Sequence, residues 1–202
     1  MKPFTRAVLA SVVMTVLGGC ASFGPQEVQR YYVLEAPPAG AKAAVLPRAA
    51  TLLVAPTTVS GFYETQDIVY SRAPGMRAYY QLHTWAERPG RRLSELLVMR
   101  LERAGSFSTV ATVLGGIKGQ VILGTHLAEF YHDAATVPGN VKVVVTAELT
   151  DPVRRILLAR RTFERSAPVP SYDAPGAVQA FNVAVTALLD DIADWVEVSA
   201  PR

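Results

Sequence analysis

A single cysteine, three histidines and two tryptophans stand among 202 residues, and each scarcity excludes something. One cysteine allows neither an intramolecular disulfide nor a thiolate metal cage. The histidines are His83, His126 and His132. One strand carrying His126 and His132 would put them on one face, but six strand residues span roughly 20 Å. That is too far to share a zinc ion, whose nitrogen ligands lie at about 2.0 Å. No Gly-x-Ser-x-Gly elbow and no His-Glu-x-x-His helix occurs. The run Gly115-Gly116-Ile117-Lys118-Gly119 lacks the Ser or Thr that follows lysine in a phosphate-binding loop, and reads as a turn. Glu64 and Asp67 are two acids in a loop, a common coincidence. These absences assign no catalytic and no metal-binding residue, and the expectation is a protein that is not an enzyme.

The one cysteine is placed where it has a use. Lys2 and Arg6 precede an uncharged run from Ala7 to Leu17, followed by Leu17-Gly18-Gly19-Cys20. That order is the order of an export signal. Eleven helical residues rise only about 16 Å, against a hydrocarbon core of roughly 30 Å, so the run does not span a membrane. The tetrapeptide resembles the lipobox of bacterial lipoproteins, with cleavage between Gly19 and Cys20. The expectation is a signal peptide over 1–19, a lipidated tether over 20–29 and one domain over 30–198. No cofactor is expected beyond the covalent diacylglycerol and N-acyl lipid on Cys20. Two or more acyl chains anchor stably, at about 0.8 kcal/mol per buried methylene. Ala21 and Ser22 follow the cysteine, where inner-membrane retention in many Gram-negative bacteria uses aspartate. The expected location is therefore the outer membrane, facing the periplasm.

Charge excludes a further class. The chain holds 20 basic and 17 acidic side chains, and two of the basic ones lie in the leader. The remainder is close to neutral, with signs interspersed, which offers nothing to nucleic acid. Half the residues are hydrophobic, enough for one packed core without disulfides.

Periodicity supplies the elements. Arg30–Glu35 reads as a strand, followed by a Pro- and Ala-rich loop to Pro47, then Thr51–Ala55 as a doubly buried strand. Ile68–Tyr70 and Ala78–Leu82 flank Pro74-Gly75 and read as a hairpin. Leu93, Leu96, Leu97 and Leu101 predict a helix over Pro89–Ala104, with proline at its first position and Gly105 at its stop. Strands are expected at Thr109–Val113, Val121–Tyr131, Val141–Leu149 and Ile156–Phe163, the last three as a meander. A final helix carries Val178, Phe181, Val185, Leu188, Ile192 and Trp195 as one stripe, flanked by Ala184, Ala187 and Ala193. The fold class is α+β: a single domain with a mixed, mostly antiparallel sheet and two main helices packed on it.

Phe62, Tyr63, Tyr70, Tyr79, Tyr80 and Trp85 crowd one stretch. Aromatic residues favour strands and cores, but Tyr and Trp are also enriched at interfaces. Phe62, Tyr63 and Trp85 are the candidates for partner contact, with Trp85 expected to pack mainly at the helix entry.

Four blocks carry a family resemblance: Tyr31-Tyr32-Val33-Leu34, Gly61 to Arg72 (reading Gly-Phe-Tyr-Glu-Thr-Gln-Asp-Ile-Val-Tyr-Ser-Arg), Trp85-Ala86-Glu87-Arg88-Pro89 and Ala128-Glu129-Phe130. In order and spacing behind a lipobox they resemble the ABC-type transport auxiliary lipoproteins, which include the paraquat-inducible-C type. Phe62-Tyr63-Glu64 departs mildly from the family's usual second block, and Arg88 is an extra residue before the proline. The resemblance implies a non-enzymatic accessory subunit of an intermembrane lipid transport system. Its implied partners are a periplasmic protein with mammalian-cell-entry (MCE) domains, a permease and an ATPase, with self-association of the chain as a further expectation. The alternative reading is a lipoprotein that itself binds and carries a lipid or other hydrophobic ligand.

Overall fold

The computed structural model describes residues 27–37 and 48–201. The leader, Gly19 and Cys20 lie outside the described residues. Nine strands form one mixed sheet, and two helices pack on one of its faces. In chain order the elements begin with β1 (Arg30–Tyr32), β2 (Arg48–Val54), β3 (Thr58–Val59), β4 (Asp67–Ser71) and β5 (Ala78–Trp85). There follow α1 (Pro89–Ala104), β6 (Phe107–Thr112), β7 (Val121–Asp133), β8 (Asn140–Asp151), β9 (Ile156–Pro168) and α2 (Ala174–Ser199).

β7 is the spine. Along one edge it pairs antiparallel with β8, which pairs antiparallel with β9 in the expected meander. Its other edge is shared in succession by three parallel strands: β2 at Val121–Leu123, β3 at His126–Leu127 and β4 at His132–Asp133. Beyond these lie β6, parallel to β2, and the β4–β5–β1 group. The long ladders are antiparallel and the parallel pairings are short.

α1 runs over the expected residues, from Pro89 to a left-handed Gly105. Its leucine stripe is buried against β2 and β6. α2 covers β8 and β9, where Val141, Val143, Val145, Ala147 and Leu149 alternate inward against its stripe. Asp173 caps α2, its Oδ1 accepting from Gly176 N at 2.7 Å. That bond, with a second from Ser171, holds the Asp173 carboxyl below its ordinary range. The small residues Ala184 and Ala193 are buried. α1 and α2 touch, joined by an ion pair between Arg100 and Asp190.

Several details, element bounds among them, differ from the sequence reading, and three of the differences have a plain cause. β1 ends at Tyr32, because the chain then climbs onto the helices. There Arg92 Nε donates to Leu34 O at 3.1 Å, Glu35 N donates to Asn182 Oδ1 at 3.0 Å, and Arg100 donates to Pro37 O at 2.9 Å. β9 runs on past Phe163 to Pro168, since β8 offers it a continuous edge. β7 carries a bulge between Leu127 and Glu129. Inward positions shift there from odd to even numbers, so His126 and His132 face opposite sides and not one shared side.

Phe181 is fully buried, its ring 4.2 Å from Phe130 and 5.6 Å from Trp85. Replacing it by alanine should lower stability by about 3–5 kcal/mol through lost contact and a residual cavity. A urea titration checks this, and an unchanged midpoint would refute the packing described.

Candidate functional site

The second and third blocks of the resemblance meet at one groove. It has a volume of about 750 Å³ and lies between the N-terminal half of α1, the β3 segment and the ends of β2 and β6. Tyr63, Glu64 and Gln66 line it from one block, and Ala86, Glu87 and Arg88 from the other. Gln66 ties them: its carbonyl accepts from Trp85 N at 2.6 Å, and its Nε2 donates to Ala86 O at 2.8 Å. Arg88 and Glu64 approach to 3.9 Å across the rim. Arg91 adds exposed pairs with Glu87 and Glu95, each worth little in water. Gly90 lets α1 lie close to β3: a Cβ there would stand 2.3 Å from Val59 Cγ2, and the Val59 side chain would have to shift. The groove is open and rimmed by both signs of charge, a surface suited to a polypeptide more than to a buried small molecule.

The expected contact residues separate in depth. Phe62 is 42% exposed and stacks on the exposed Tyr79, ring centroids 5.0 Å apart. Tyr63 is buried beneath it, stacked on Tyr131. Arg77 holds that stack, with its guanidinium 3.8 Å from the Tyr131 ring centroid and Nε donating to Tyr63 Oη at 2.9 Å. Burial pushes the Tyr131 hydroxyl upward against the opposing effect of Arg77. Trp85 is 1% exposed and sits wholly in the core, out of reach of a partner. Of the three, only Phe62 presents a ring to solvent. Arg77 was not foreseen, because its role depends on two rings distant in sequence.

The histidines lie in three separate places. His83 Nδ1 is 2.8 Å from Tyr32 Oη. His126 meets Thr58 and Ser60 on the outer face. His132 is buried, with Nε2 2.7 Å from Pro138 O and Nδ1 2.7 Å from Tyr80 Oη. A carbonyl only accepts, so Nε2 carries the proton and Tyr80 donates to Nδ1. Burial lowers the His132 pKa, against the opposing effect of the Pro138 carbonyl, and burial pushes the Tyr80 hydroxyl up to about 12. This is a neutral, satisfied histidine that orders a turn. Among the described residues no group of three or more His, Cys, Asp and Glu could hold a metal, and no helix is long and apolar enough to cross a membrane.

The sequence model for the ABC-type transport auxiliary lipoprotein component matches residues 32–193. The chain belongs to that family. Comparison with curated protein sequences finds no match. Among solved structures, this auxiliary lipoprotein resembles protein XCC0632 from Xanthomonas campestris, with a TM-score of 0.75 at 21% identity, over 84% of this chain and 96% of that one. PelC from Paraburkholderia phytofirmans, a dodecamer, gives a TM-score of 0.50 at 15% identity, over 79% of this chain and 95% of that one. CT253 from Chlamydia trachomatis gives 0.51 at 8% identity, over 75% and 98%. At these identities the likeness is one of fold. The family match covers the groove, the aromatic stack, α1 and α2 as far as residue 193 of the auxiliary lipoprotein.

The His132 arrangement has a pH consequence. Its folded pKa lies below the unfolded value near 6.5. Its contribution to stability is therefore complete above that value and declines as pH falls below it. Urea midpoints at pH 7.5 and 5 should show a drop that is smaller in a His132→Gln chain. Tyr80→Phe, which orphans Nδ1, should cost about 1–3 kcal/mol at pH 7.5. Equal pH slopes in the native and His132→Gln chains would refute the first claim.

Proposed function

We propose that this chain is a lipid-anchored, non-enzymatic accessory subunit of an ABC transport system with an MCE-domain partner, moving lipid between the membranes of the cell envelope. The observation that carries the reading is the match to the auxiliary lipoprotein family across residues 32–193. Cys20 takes the lipid, Gly19 ends the removed leader, and Ala21-Ser22 directs the protein to the periplasmic face of the outer membrane. The MCE-domain protein docks at the groove between the second and third blocks, with Phe62 as the exposed anchor beside it. Aromatic anchors of this kind dominate interface energies.

Two features support a docking role over lipid carriage. The space between sheet and helices, where a carried lipid would lodge, is filled by Trp85, Phe130 and Phe181. The groove itself has a charged rim. Self-association is supported by PelC, a dodecamer of like fold, and would match a ring-shaped partner.

Mild crosslinking in cells, followed by membrane extraction and identification of attached proteins, tests the reading. An MCE-domain protein among the products supports it. Lipid retained in stoichiometric amount with no protein partner would turn the reading to a carrier. Phe62→Ala should reduce the partner's yield about tenfold, a loss of about 1.4 kcal/mol, without moving the urea midpoint. Cys20→Ser should release the chain from the membrane fraction.

A further inference from the structure

One end of the sheet is finished by a row of paired residues. Tyr70 stands opposite both Ala78 and His132, Asp133 opposite Asn140, and Asn140 opposite Pro168. Beyond this row lie the turns 72–77 and 134–139 and the segment that enters α2. Each presents a large apolar or aromatic side chain to solvent: Met76 at 61%, Val137 at 76% and Tyr172 at 40% exposure. The exposed Arg72 lies beside them, its guanidinium 5.1 Å from the Tyr70 ring centroid.

These turns are fastened to one another. Ala134 N donates to Ser71 O at 2.7 Å, Val169 N to Gly139 O at 3.0 Å, and Tyr172 Oη to Ala134 O at 3.4 Å. His132 holds Pro138 from beneath. The two aspartates here are engaged locally, Asp133 with Ala135 N and Asp173 with Ser171 and Gly176. The result is a fixed platform of apolar tips with an arginine at its side.

The chain enters the domain from the same end. β1 runs parallel to β5 with Arg30 opposite His83, so the backbone arrives at Arg30 from the side on which β5 starts, at Ala78. From His83 to Ala78 is five residues, at most about 17 Å and less here because β5 bulges against β4. The ten residues from Cys20 to Arg30 reach at most about 35 Å. An anchor at Cys20 can therefore bring this end against the bilayer without the tether doubling back.

We infer that this end of the domain is a membrane-contact surface, with Met76, Val137 and Tyr172 seated in the lipid headgroup region and Arg72 on the phosphates. Apolar tips, tyrosine and arginine are the side chains that partition to that zone. The inference rests on lipidation of Cys20. It adds an orientation: the opposite end, with the 152–155 turn and its Val153 at 85% exposure, faces away from the membrane.

The chain's lone cysteine makes a direct test feasible, because lipidation consumes Cys20 and a newly introduced thiol is then the only one. Met76→Cys, Val137→Cys and Val153→Cys would each be labelled with an environment-sensitive dye in the lipidated full-length chain. The proteins would be reconstituted in phosphatidylethanolamine–phosphatidylglycerol vesicles. Flotation with the vesicles reports the anchor. Quenching by headgroup-labelled lipid should be at least about threefold stronger at positions 76 and 137 than at 153. Aqueous iodide should show the reverse order. A chain that floats but is quenched equally at all three sites overturns the inference and leaves the anchor standing. Shielding from both quenchers at 76 and 137 would mean that a second copy covers this end, and also overturns it. A chain that does not float removes the anchor and the inference together.

Discussion

The burial of Trp85 is the interaction on which the rest of the domain depends. It ends β5, and every block of the family pattern closes on it. Tyr32 of the first block stands opposite it in the β1–β5 ladder. Gln66 of the second accepts its backbone N–H. Phe130 of the fourth lies 5.8 Å away, ring to ring, and Phe181 of α2 completes the contact. Among the described residues the indole N–H finds no hydrogen-bond partner. Leaving a donor unpaired costs roughly 1–3 kcal/mol, which the large ring area removed from water offsets.

The bulge in β7 is what brings Phe130 there. Before it, odd-numbered residues point to the helices; after it, even-numbered residues do. The extra residue falls within the Ala128-Glu129-Phe130 block, and its effect is to aim Phe130 at Trp85 while turning His132 inward. The same shift leaves Glu129 on the outer face, where it pairs with Lys142 at 3.0 Å. One local irregularity thus separates a closed interior from a polar sheet face. With its interior filled, the domain is left to act through its surface.

Elements governed by local periodicity were legible in the sequence. The bounds of α1 follow from a leucine stripe between a starting proline and a stopping glycine, and the alternation over 141–149 marks its buried face directly. What escaped were features that depend on distant chain. The two-residue β3 has too little pattern to see, and only its pairing with His126–Leu127 makes it a strand. β1 stops early because Arg92, Arg100 and Asn182 capture the following backbone groups. The candidate site divides in the same way. Its blocks could be named, but that Trp85 and Tyr63 are buried, and that Arg77 supports the Tyr63–Tyr131 stack, follows from rings brought together across more than fifty residues.

From the sequence by itself came the α+β class, both helices, the meander, the lone cysteine behind an uncharged apolar run and the family pattern. These rest on short-range order: hydrophobic period, turn residues and motif spacing act within a few residues of one another. Tertiary structure alone decided that three separate strands share one edge of β7, that two family blocks form a groove, and that the chain arrives at β1 from the end bearing Met76, Val137 and Tyr172. Parallel pairing joins segments with long intervening chain, and its register is selected by which side chains fill the common core. No local pattern encodes that choice.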